Sequence, residues 1–308
     1  MATSNVNKSC HQQPKRKPAA LYPFHRYGKI TILPTPALKD GAEKLIQSMK
    51  NFNSRETDVI LCSSMKSGSH WAHEIISMLL HQTTEYNTFG MLNKFNFECQ
   101  ADWERLEEED DPRLFHTHLP PSFLPKKHIE KRNKIIYLNR NPKDRAVSLY
   151  FFLQGKKGVP VWTWSEFFEN FILTDDLYGG WFNFTREFEK AIEDNTANVL
   201  SITYEDLKLA AIQTVTKIAN FLDVQVSDAL VKDIVDKCAF GNLKENKLDV
   251  SVLIHPEGES TLWRKGIIGD WKKWFTVAQS EQFDQRYNKE MKDCSVRFIY
   301  DDKNLNVS

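Results

Sequence analysis

Val59-Ile60-Leu61-Cys62-Ser63-Ser64-Met65-Lys66-Ser67-Gly68-Ser69-His70-Trp71 passes from a short apolar run into a loop of small residues around one lysine. Beyond it Trp71, Ile75, Ile76, Leu79 and Leu80 recur at helical spacing, so the stretch predicts strand, loop and helix. Such a loop aims backbone N–H groups and the positive end of the helix dipole at one spot, where Lys66, Ser67 and Ser69 add side-chain donors. That chemistry suits an anionic ester. The order Gly-Lys-Ser/Thr is absent and no glycine lies five residues before Gly68, so this is not a Walker A loop. Lys-Ser-Gly also occurs by chance, and the decision rests on the rest of the chain.

Working outward, Lys134 to Leu138 is a second apolar strand, and Asn141-Pro142 supplies an N-cap and a first helical residue. Arg140 therefore stands at a strand end, with Ser148 about two turns into the following helix. Arg113 to Leu119 reads as a short strand stopped by Pro120-Pro121, which places His116 and His118 where α/β sheets carry chemistry. Val199 to Thr203 is a further strand, and Ile212, Val215, Ile218, Ala219 and Leu222 keep a helical face behind it. Helices are also expected over Ala42 to Phe52, from the capping box Thr163 to Glu166, over Trp181 to Asp194, and ending at Cys238-Ala239-Phe240-Gly241. This alternation predicts an α/β fold, a single domain with a central parallel sheet flanked by helices on both faces.

Residues 1–20 are polar and read as a disordered N-terminal arm, leaving 21–308 as the folded domain. The Pro- and aromatic-rich stretch Leu21 to Leu38 reads as a lead-in packed over a core or pocket. Gln154 to Val161 reads as a mobile Gly/Lys loop, and Lys244 to Thr261 as a lid. In a chain of 308 residues, Lys plus Arg and Asp plus Glu both count 41, so no global field favours nucleic acid or an anionic membrane. Any anion site must be local. The cysteines, Cys10, Cys62, Cys99, Cys238 and Cys294, are odd in number and scattered, without a Cys-x-x-Cys pair, which predicts free thiols and no metal. No secretory h-region or membrane-length apolar run is present, and a cytoplasmic protein is expected.

Collected in order, Lys66-Ser67-Gly68, Thr117-His118-Leu119-Pro120, Arg140 with Ser148, Tyr204-Glu205-Asp206 and Arg264-Lys265-Gly266 form a series of anion-binding and acid–base elements. The chain resembles the cytosolic sulfotransferases, which move a sulfuryl group from 3′-phosphoadenylyl sulfate (PAPS) to a hydroxyl or amine. The resemblance runs from about Tyr27 to Ile299. It is especially specific at Arg140-Asn141-Pro142-Lys143-Asp144 through Ser148 and at Arg264 to Lys272. It implies that Lys66, Ser67, Gly68, Ser69 and His70 hold the 5′-phosphosulfate, with Lys66 the catalytic cation, and that Trp71 stacks on adenine. By the same resemblance Arg140, Ser148, Arg264, Lys265 and Gly266 hold the 3′-phosphate, Tyr204 contacts adenine, and His118 is the general base, with no metal. Lys272, Thr276, Val277 and Glu281 match the family's short dimerisation motif, which implies a weak homodimer.

The chain departs from the family pattern at several points. Ser64-Met65 replaces the usual Tyr-Pro, Ser69-His70 the usual pair of threonines, His116 the usual lysine, and Cys238-Ala239 the usual Thr-Ser pair. One hydroxyl donor is thus replaced by the His70 imidazole, and His70→Thr is expected to preserve or improve PAPS use. A nucleotide-binding protein of the same fold that has lost turnover is the alternative; a P-loop kinase lacks both the Walker A order and placeable Mg²⁺ carboxylates. Phe24, Tyr27, Phe89, Met91, Phe151, Phe152, Trp162 and Tyr178 are candidate walls for a small aromatic or steroid-like acceptor.

Overall fold

The structure is a computed structural model, which describes residues 24–87, 96–100, 102–154, 161–247 and 263–301. The expected arm over 1–20, wall residues Phe89 and Met91, the loop 155–160 and most of the expected lid lie outside the described residues.

Strands β1 (His25–Tyr27) and β2 (Ile30–Ile32) form an antiparallel hairpin. Strands β3 (Val59–Ser63), β4 (Leu114–Thr117), β5 (Lys134–Asn139) and β6 (Asn198–Thr203) form a parallel sheet in the order β4-β3-β5-β6. Val59 pairs with Lys134 and Ser63 with Leu138, so the two strands read first from the sequence are neighbours in one sheet.

Successive side chains of a strand point to opposite faces, and here both faces are covered. Ile60, Cys62, Ile135 and Tyr137 enter one core, shared with the helices Ala42–Asn51, Pro142–Leu153 and Trp181–Glu193. Val59, Leu61, Ile136 and Leu138 enter the other, shared with Ser69–His81, Ala211–Leu222 and Asp228–Lys237. This is why the strands read as continuous apolar runs. At the opposite sheet edge from the loop, buried Arg113 donates to both carboxylate oxygens of Asp58 at 2.8 and 2.7 Å, tying the starts of β3 and β4.

The chain leaves β3 for β4 on one side and then crosses to β5 on the other. A sheet that reverses its strand order opens a crevice at the strands' C-terminal ends, and the Lys66 loop lies there. Asn141 caps its helix as expected, its side chain accepting from Asp144 N at 2.8 Å. Gly241 does not end a helix. Asp228–Lys237 stops at Cys238, and Gly241 lies in the first turn of the next helix, Phe240–Asn246, which begins at once. No helix among the described residues is long and apolar enough to cross a membrane.

Candidate active site

A cavity of about 460 Å³ opens at this sheet edge. The loop after β3 contributes Lys66, Gly68, Ser69, His70 and Trp71, and the end of β4 contributes His118. Arg140 and Ser148 come from β5 and its helix, Tyr204 from the helix after β6, and Arg264, Lys265 and Gly266 from a closing turn. Sequence positions up to two hundred residues apart thus line one space. Ser67 is the exception: its buried hydroxyl lies 2.5 Å from Ser64 Oγ, which in turn donates to Asn139 Oδ1 at 3.4 Å. That side chain braces the loop from behind.

The loop needs left-handed backbone at two positions, Lys66 (φ 71) and Gly68 (φ 99). A Cβ on residue 68 would stand 2.9 Å from the Tyr204 ring, so glycine is required there for space as well as for conformation. Gly266 (φ 65) is tighter still, with a Cβ meeting the Phe240 ring at 2.4 Å.

The histidines near the strand ends are held in different states. His118 Nδ1 lies 2.8 Å from the carbonyl oxygen of Ser63, which can only accept. Nδ1 therefore carries the proton and Nε2 keeps its lone pair. Burial, with Lys66 and Arg145 adding to it and the Ser63 carbonyl pulling the other way, lowers the pKa of His118 to about 4. The ordinary imidazole value near 6.5 does not hold for it, because the ring is packed within protein beside two cations. His116 is 1% exposed and held at both nitrogens: Nδ1 is 3.2 Å from Asn96 Nδ2 and Nε2 is 3.0 Å from Ser63 Oγ. The Asn96 amide is oriented by Glu98 N, which donates to its Oδ1. Hence Asn96 donates to His116, and His116 donates to Ser63. That direction leaves Ser63 without a base, so no serine nucleophile arises from this Ser-His-Asn cluster.

The cations sit deeper than a sequence reading conveys. Arg140, 9% exposed, stacks on the Tyr204 ring at 4.2 Å and donates to the Lys66 and Ile267 carbonyls at 3.3 and 3.4 Å. Its buried Nε has no hydrogen-bond partner among the described residues, an orphan donor at the mouth of the loop. Arg264 stacks on Phe151 at 4.4 Å and binds Asp270 at 2.6 Å; Lys265 binds the same carboxylate at 2.8 Å. Lys66 Nζ lies 4.2 Å over the Phe152 ring, and Trp71 meets Tyr204 edge to face with centroids 5.3 Å apart.

Of the aromatic walls expected from sequence, Phe152 and Tyr178 line the cavity. Tyr27 packs on Phe123, Phe151 lies beneath Arg264, and Trp162 joins Phe167 and Phe171 in the core. Sequence reasoning missed Asn96 and Glu98, which cap and form a single 3-10 turn, Phe97–Cys99, too short for a periodicity to flag them. Glu98 Oε1 accepts from Thr117 Oγ1 at 2.7 Å and from the His118 amide at 2.6 Å, which fixes the backbone that carries His118. Burial raises its carboxyl pKa to about 7 despite those donors. Among the described residues no group of three or more His, Cys, Asp or Glu side chains is placed to hold a metal ion.

Known proteins match this chain in sequence and fold. Residues 56–295 match the sulfotransferase domain family. Sulfotransferase 1A1 of Rattus norvegicus is 34% identical over 89% of this chain and 98% of its own length. Sulfotransferase 1B1 of Canis lupus familiaris is 34% identical over 82% of this chain and 89% of its own. The crystal structure of mouse sulfotransferase SULT7A1 complexed with PAP superposes with a TM-score of 0.73 at 30% identity, covering 88% of this chain and 96% of that one. With the family matched over most of the chain and the loop, histidine and arginines converging on one cavity, this protein belongs to the sulfotransferase family.

Proposed function

We propose that this sulfotransferase moves the sulfuryl group of PAPS to a hydroxyl or amine of a small, aromatic or steroid-like acceptor, with His118 as general base. The observation that carries the reading is His118 itself, held by a backbone carbonyl so that an unprotonated Nε2 is presented beside the Lys66 loop. The donor set fits the bisphosphorylated co-substrate. The left-handed loop and the first turn of Ser69–His81 suit the phosphosulfate. Arg140 with its orphan Nε, Ser148, Arg264, Lys265 and the Gly266 backbone suit the 3′-phosphate, and Trp71 and Tyr204 offer aromatic surface for adenine. When bound, PAPS supplies the activated sulfur.

His118 Nε2 removes the acceptor proton as the new oxygen–sulfur or nitrogen–sulfur bond forms and the sulfur–oxygen bond to the 5′-phosphate breaks. Lys66 neutralises the charge left on that phosphate oxygen. Positioning and preorganised cations carry most of the barrier reduction in such loose transfers. The alternative of a nucleotide-binding protein without turnover would leave no reason for the orientation of His118. The test is incubation with radiolabelled PAPS and a panel of phenols, steroids, alcohols and amines; no labelled product from any would overturn the reading. In the same assay Arg140→Ala and Arg264→Ala are expected to raise the PAPS requirement about ten- to a hundredfold, with less effect on the acceptor requirement, since charged hydrogen bonds are worth roughly 1.5–3 kcal/mol each.

Free thiols at Cys62, Cys99, Cys238 and Cys294 support a cytoplasmic setting. A weak homodimer through Lys272, Thr276, Val277 and Glu281 is supported by Val277, which is 77% exposed at the start of the helix Val277–Glu290, immediately after its cap Thr276. Lys272 there also pairs with Asp301. A two-fold contact of this size is self-complementary but small. Val277→Glu is expected to yield a monomer in sedimentation, and an intact dimer would refute the assignment.

A further inference from the structure

His70 is a polar cavity residue with no fixed role in the fold. It lies in the first turn of Ser69–His81, partly exposed, and lines the cavity with Lys66 and His118. Its neighbours each have a fixed partner, although His73 Nε2 has none among the described residues. His116 is held at both nitrogens, and His73, one turn further along the same helix, is 3% exposed with Nδ1 3.4 Å from Asn87 Nδ2. Lys247, behind the loop, is paired with Glu74 at 2.7 Å. Among the described residues the His70 ring is fixed by no such bond, so it is available to a ligand seated on the loop.

We propose that His70 binds the co-substrate by taking up a proton with it, so that seating of the phosphosulfate is coupled to proton uptake at this imidazole. The inference rests on the PAPS reading above. The charged and titratable groups that act on the ring oppose a charge there: Lys66 from the loop, His73 from its own helix, His118 from the end of β4 and Lys247 from the segment after Phe240–Asn246. Together with burial, the largest cause, they lower its pKa to about 3. An anion seated on the same helix terminus reverses the sign of the nearest charge and stabilises the imidazolium. The ring then donates from both nitrogens. A group whose pKa rises on binding strengthens binding below its bound-state pKa, and the gain is lost as pH rises through it. Threonine at this position could not do this, so the sequence-based expectation for His70→Thr holds only at alkaline pH.

The test is calorimetric titration of the full chain with adenosine 3′,5′-bisphosphate at pH 6, 7 and 8, in buffers of different ionisation enthalpy. Wild type is compared with His70→Gln and His70→Thr. The ligand's own phosphate titration, near pH 6, cancels in the ratio of wild type to variant. Wild type is expected to take up more protons than either variant at pH 6, approaching one per molecule bound. The affinity ratio is expected to rise about three- to tenfold from pH 8 to pH 6. Equal proton uptake and a flat ratio would overturn the proposal while leaving the co-substrate reading intact. Absence of binding to wild type would overturn both. Far-UV circular dichroism identifies a misfolded variant, and the two substitutions are independent, so one folded variant suffices.

Discussion

His118→Ala is expected to lower turnover by a hundredfold or more while affinity for adenosine 3′,5′-bisphosphate persists. A positioned general base contributes in this range, and a hundredfold corresponds to about 2.7 kcal/mol of transition-state stabilisation. Binding should survive because, among the described residues, the ring hydrogen-bonds only to the Ser63 carbonyl, and the cations that would hold the nucleotide lie elsewhere on the cavity wall. His116→Ala should act differently. Its ring is sealed between Asn96 and Ser63, so the loss is one of packing and two buried hydrogen bonds, with turnover per folded molecule changed less. Steady-state kinetics beside ligand titration separates the two variants. Near-normal turnover in His118→Ala with a dead His116→Ala would reassign the base.

Acid should unfold this protein early. His73, His116 and His128 are buried, His70 and His118 partly so, and burial lowers the pKa of each. An unfolded histidine titrates near 6.5, so the stability these rings contribute is complete above that pH and is lost as pH falls toward their folded values. Glu98 and Glu205 act in the opposite sense. Burial first raises each to about 7, so between 7 and the unfolded carboxyl value near 4.5 they favour the folded state as pH falls. Setting the two carboxyls against three to five histidines leaves a net uptake on unfolding of about one to three protons, or about 1.4–4 kcal/mol per pH unit. Domains of this kind hold roughly 5–15 kcal/mol in all. Urea denaturation at pH 7, 6 and 5 should therefore show a steep loss of stability, and a flat profile would mean that the histidines are not buried neutral. One consequence bears on catalysis: loss of activity below pH 6 should track unfolding rather than protonation of His118.

The strand, loop and helix around Lys66 were legible because each signal in it is local: apolar run, small residues, helical spacing. The convergence of Arg140 and Arg264 on that loop was legible only through the family's motif order, since nothing in residue spacing places segments so far apart side by side. Asn96 and Glu98 escaped because a single 3-10 turn is too short to show a period. Tyr27, Phe151 and Trp162 show the reverse limit, since a core aromatic and a pocket aromatic are the same letter and only packing tells them apart. Gly241 was read as a helix end, yet the chain turned at Cys238 without needing a left-handed residue.

The two cations held by Asp270 bear on how fast the site fills. Arg264 and Lys265 share one buried carboxylate, and the chain as a whole carries no formal net charge. Counted with Lys66 and Arg140, the cleft still carries more cations than carboxylates, so an approaching nucleotide is attracted within about a Debye length, about 8 Å in physiological salt. Encounters should therefore slow as ionic strength rises, although Asp270 offsets part of the attraction of Arg264 and Lys265. Selection between nucleotides then falls to residence time, decided after arrival by whether a ligand's phosphate can share those cations with Asp270.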